Sequence, residues 1–73
     1  MAEAIPITRQ VVAVRDEIGL RRQVYPRLIA SGRLTEDVAA RRIAEMCAVL
    51  VTLEGLRDAE RAQREPGLFG TDA

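Results

Sequence analysis

Six arginines, Arg21, Arg22, Arg27, Arg33, Arg41 and Arg42, fall within residues 19–42 against two acids, Glu36 and Asp37, a local net of +4. A guanidinium presents a planar fork of donors that matches phosphate oxygens in pairs, so a cluster of this kind fits a nucleic-acid backbone. The blander reading is a solvated face, with Arg41 and Arg42 paired to nearby acids. It is favoured by an overall formal charge of zero and by the scarcity of aromatics, since Tyr25 and Phe69 are the only rings. All eleven basic residues are arginine and they run along the whole chain, which is the mark of a coding bias more than of a site.

The residue types that do chemistry are mostly missing. There is no histidine, and so no side chain whose ordinary pKa makes it a general base or metal ligand near neutral pH. Cys47 is the only cysteine, which rules out an intrachain disulfide and a thiolate metal cluster. Its chain neighbours are apolar, so it reads as a buried, inert thiol, because a reactive one needs electropositive company. Asp16-Glu17 and Glu36-Asp37 are adjacent acids, which diverge on a helix and do not make a carboxylate pair. Thr35 reads as a helix cap and Thr52 as a hydroxyl bonded to its own helix backbone. No glycine-rich phosphate loop is present. The sequence therefore predicts no enzyme, no catalytic residue, no metal and no cofactor.

The elements that would position any site are two helices. Ser31-Gly32-Arg33-Leu34-Thr35 separates two helix-patterned stretches of similar length. In the first, Ile7, Val11, Val14, Ile18, Tyr25 and Leu28 recur at spacings that place them on one face, with Arg21 interrupting the stripe and Val12 and Ile29 flanking it. Pro6 suits the first turn. Pro26 cannot donate to the carbonyl of Arg22, so the helix is expected to kink there or restart for about one turn. Gly32 supplies the left-handed residue that ends many helices.

The second stretch opens with Thr35 as N-cap and Glu36 and Asp37 in the first turn, where the helix dipole favours negative charge. Ala39, Ile43, Met46, Leu50 and Leu53 then follow a four–three spacing, widened by Val38, Val49 and Leu56. Between Ile43 and Leu53 the only charge is Glu45, so the middle is apolar nearly all round and calls for burial on more than one side. Asp37–Arg41 and Glu60–Arg64 are expected pairs at i,i+4. Pro66-Gly67 stops the helix. The bounds are about 7–30 and about 36–64, with 1–65 as the hairpin and 66–73 as a flexible tail.

Length and pattern together give the fold expectation: all-α, a two-helix antiparallel hairpin that dimerises into a four-helix bundle. A chain of 73 residues is in the size range where one core is marginal without help. The expected interface is Ile43, Met46, Val49, Leu50 and Leu53. The N-terminus carries no secretory pattern, and the run from Met46 to Leu53 is too short to span a membrane, so the expected location is the cytoplasm.

Glu17, Arg21-Arg22, Val24-Tyr25-Pro26-Arg27, Gly32-Arg33-Leu34, Ala39, Ile43-Ala44, Met46 and Ala48-Val49 form a pattern over roughly residues 15–56. It resembles a group of small proteins encoded by bacteriophages and prophages, with no assigned activity. The resemblance implies an origin, and supplies no functional residues. The residues themselves read Tyr25-Pro26-Arg27 as a kink with an aromatic packed on the second helix.

In the tail, Leu68 and Phe69 are two bulky apolar residues in a polar terminus. Either they fold back and cap the bundle, or they anchor the chain in a partner's pocket. Glu65-Pro66-Gly67-Leu68-Phe69 is similar to peptides that bind the bacterial sliding clamp, which read Gln, an apolar residue, a spacer, then Leu-Phe. The Leu68-Phe69 pair matches, while Glu65 and Pro66 depart from the pattern. The sequence thus predicts a non-enzymatic interaction protein whose partners are itself and an unidentified protein. The alternative is a nucleic-acid-binding accessory protein working through the six arginines.

Overall fold

A computed structural model of the chain describes residues 4–64. Two helices, α1 (Ile7–Ala30) and α2 (Glu36–Arg64), make an all-helical hairpin. The described residues contain no strand. The tail with Leu68 and Phe69 lies outside the described residues.

Each helix end has a local cause. Pro6 stands just before the first turn of α1, one place earlier than expected, and its carbonyl accepts from the N–H groups of Arg9 (3.0 Å) and Gln10 (3.2 Å). At the other end the N–H of Arg33 donates to the carbonyl of Leu28 (2.9 Å) and that of Gly32 to Ile29 (3.0 Å). This crossed pair is the Schellman arrangement, which needs a left-handed residue, and Gly32 has φ +79°. Three residues later Thr35 caps α2, its Oγ1 accepting from the N–H of Val38 at 3.2 Å. Glu36 and Asp37 occupy the first turn, and Arg61 and Arg64 the last, both in the sense that the dipole favours. The Thr52 hydroxyl donates to the carbonyl of Ala48 (3.2 Å) and is spent on its own helix.

Pro26 does not make the helix restart: α1 runs unbroken from Ile7 to Ala30 with the proline inside it. The cost of one missing backbone bond is met by packing, since Tyr25, Leu28 and Ile29 around it are all half-buried. The expected pair Asp37–Arg41 is also absent from the ion pairs among the described residues, whereas Glu60–Arg64 forms at 3.7 Å. Both arginines are solvent-exposed, where such pairs contribute a few tenths of a kcal/mol at most and often do not persist.

The helices run antiparallel. Arg15 on α1 meets Glu54 on α2 (2.7 Å), and Arg22 meets Cys47 (3.9 Å): one chain position rises as the other falls. Along the seam, Val11, Ile18 and Ala39 are buried. Val14, Arg21, Val24, Tyr25 and Leu28 of α1, and Ile43, Met46, Leu50 and Leu53 of α2, are half-buried around them. Val12, read as flanking the stripe, is 47% exposed.

Gly19 and Gly55 lie inside helices, and a Cβ at either would meet nothing within 4 Å. Gly19→Ala and Gly55→Ala are each expected to stabilise the fold by about 1 kcal/mol, through helix propensity alone. Urea titration at fixed protein concentration checks this, and a lowered midpoint for either would contradict it.

Candidate interaction surface

Among the described residues the seam buries only Val11, Ile18 and Ala39, while Val12, Leu20, Val49, Val51 and Leu56 stay about half exposed or more. On α2 the spacing three, four, three puts Met46, Val49, Leu53 and Leu56 on one stripe. Met46 and Leu53 are half-buried at its inner edge, while Val49 and Leu56 are 47% and 53% exposed. Val51, on another side of the same helix, is 67% exposed. Of the residues expected at an interface, Val49 is open to solvent. Ile43, Met46, Leu50 and Leu53 are all half-buried, Ile43 beside Pro26 and Ile29 of α1 and Met46 beside Arg21 and Tyr25. Leu56, which the sequence reading left outside that set, extends the stripe by one more heptad position.

Two concave regions share Tyr25. One, of about 310 Å³, is bounded by Arg21, Tyr25, Arg42, Glu45, Met46 and Val49. The other, of about 470 Å³, lies between Pro26 and Ile29 of α1 and Ala40, Ile43 and Ala44 of α2, with Arg22 and Glu36 at its margins. Tyr25 is half-buried and contributes to the walls of both, the packing role that its place beside Pro26 suggested. The open end of the hairpin holds a third, of about 410 Å³, between Ile5–Thr8 and Arg57, Arg61 and Arg64.

The six arginines near the bend do not act alike. Arg21 is half-buried and pairs with Glu17 one turn back. Its hydrogen bond to that carboxylate raises the guanidinium above its ordinary pKa, so it stays charged at every relevant pH. Arg22 leans across to α2, its Nη2 donating to Cys47 Sγ. The remaining four, Arg27, Arg33, Arg41 and Arg42, are exposed and make no ion pair among the described residues, so Arg41 and Arg42 are not the paired face that the blander reading expected.

Cys47 is half-buried, not buried. Its neighbours in sequence are apolar, but the hairpin brings an arginine to it from 25 positions away. Only the register of the two helices could have revealed that contact, and the same is true of Arg15–Glu54. Among the described residues no group of three or more Cys, Asp or Glu side chains is placed to hold a metal ion. No described helix is long and apolar enough to cross a membrane.

No protein-family model, no curated protein and no solved structure matches this chain.

Proposed function

We propose that the chain is a small non-enzymatic interaction protein, a helical hairpin that pairs with a second copy of itself to form a four-helix bundle and works through protein contacts. One observation carries the proposal: three of the described residues are buried, while on the longer helix Val49 and Leu56 are about half exposed and Met46 and Leu53 beside them are only half-buried. Apolar stripes of this kind, unpaired in a hairpin, are what bundle formation covers. The reading includes a cytoplasmic location and, on the pattern around Val24-Tyr25-Pro26-Arg27, a phage or prophage origin. Leu68 and Phe69 would then give the bundle a second contact, for a different protein.

Mass action tests the pairing. Thermal unfolding followed by far-UV circular dichroism is expected to shift upward in midpoint when the protein concentration rises 100-fold, because association stabilises only the folded state. A midpoint independent of concentration would contradict self-association. For the tail, Phe69→Ala is expected to abolish capture of the second partner with no loss of helicity.

A second reading rests on four exposed arginines that make no ion pair among the described residues, Arg27, Arg33, Arg41 and Arg42. They suit phosphate. Binding of that kind falls steeply with salt, so retention of a nucleic acid at low salt and its loss on raising the salt would favour this reading over apolar docking.

A further inference from the structure

The exposed stripe of α2 carries opposite charges at its two ends. Continuing the four–three spacing outward from Met46 gives Arg42, and from Leu56 gives Glu60. Both side chains are exposed; Arg42 makes no ion pair among the described residues, and Glu60 has only the exposed 3.7 Å pair with Arg64 of its own helix, weak enough for a partner's guanidinium to share or replace. The six positions are symmetric about the level of residue 51: Val49 and Leu53 lie two places either side of it, Met46 and Leu56 five, Arg42 and Glu60 nine.

We infer that two copies of the chain pair through α2 in antiparallel register, on a two-fold axis at the level of residue 51. This rests on the self-association proposed above and adds its geometry. In that register the alternating positions of one helix pack against those of the other, as in an antiparallel coiled coil. Val49 meets the partner's Leu53, and Met46 meets the partner's Leu56. The two ends close with Arg42 against the partner's Glu60, twice per dimer. Parallel pairing of the same stripe would set arginine against arginine and glutamate against glutamate, so the charges select the orientation.

Charge exchange and a distance test this together. Arg42→Glu and Glu60→Arg, each alone, place like charges at both ends and are expected to weaken association about tenfold at low salt. The double variant carrying both is expected to return to within about threefold of the native chain. In a Cys47→Ser background, spin labels at Ala59→Cys are expected about 24 Å apart along the bundle, at 1.5 Å per residue; parallel helices would hold them about 10 Å apart. A double variant as weak as the singles, or labels at the shorter distance, overturns the register while leaving self-association standing. A native chain that stays monomeric at low salt overturns both.

Discussion

Ile18→Ala is expected to remove most of the helical signal of this protein at 25 °C. Ile18 is 5% exposed and is one of three buried residues among those described, with Val11 and Ala39. Trimming a buried isoleucine to alanine costs about 2–5 kcal/mol, the range reflecting how far the surroundings can collapse. A folded unit of this size has about 3–10 kcal/mol in all, so one substitution spends a large part of it. A larger protein could distribute the loss over neighbouring core residues, but here the seam has few of them. Far-UV circular dichroism with thermal melting reads the effect, a fall in midpoint of about 10–30 °C for a domain this small. Ile18→Val should cost about 1 kcal/mol and keep the fold. If Ile18→Ala melted within a few degrees of the native chain, the α1–α2 seam would not be the core.

The second large effect separates two exposed valines on one helix. Val49 and Val51 are 47% and 67% exposed. In an isolated hairpin, aspartate at either position is a surface change worth within about 0.5 kcal/mol. If the stripe through Val49 meets a second copy, the variant carboxylate enters an apolar contact twice per dimer and must be desolvated without a partner, at a cost of at least about 3 kcal/mol. Val49→Asp combined with Leu56→Asp is therefore expected to weaken self-association by more than about 100-fold. Val51→Asp should leave it unchanged. Analytical ultracentrifugation of the three proteins at matched concentrations makes the comparison. Equal weakening by Val51→Asp and by the double variant would mean that association does not use a defined face.

How much of this was legible in the sequence varied with range along the chain. The turn was fully readable, because its causes are local: Gly32 at φ +79° and Thr35 capping Val38 each depend on a few adjacent residues. The apolar stripes were readable because a helix repeats, and Val11, Ile18 and Ala39 lie on the faces that periodicity marks. Of the two outcomes expected at Pro26, a kink or a restart, the restart does not occur: the backbone cost of the proline is local, while Tyr25, Leu28 and Ile29 around it are half-buried in the hairpin. Arg15–Glu54 and Arg22–Cys47 could not be found from the sequence at all. Their partners are 39 and 25 positions apart, and only the register of the hairpin brings them together. The pair Asp37–Arg41 failed for the opposite reason: i,i+4 spacing permits an ion pair between exposed side chains but contributes too little to fix it.

For the candidate surface, the sequence read the middle of α2 as calling for burial on more than one side, but did not say which side α1 would take. The burial along α2 supplies that: Ile43, Met46, Leu50 and Leu53 are half-buried, and Val49 and Leu56 stay exposed. Leu56, which the sequence reading places among the residues widening the stripe, is the counterpart of Met46 in the proposed two-fold pair.

The account stands or falls on whether this hairpin is complete alone. Sedimentation equilibrium of the full chain, from low micromolar to about millimolar, measures that directly. It predicts a mass rising from the 8.1 kDa of one chain to twice that value and levelling there. A single 8.1 kDa species across the range, with full helicity, would contradict it.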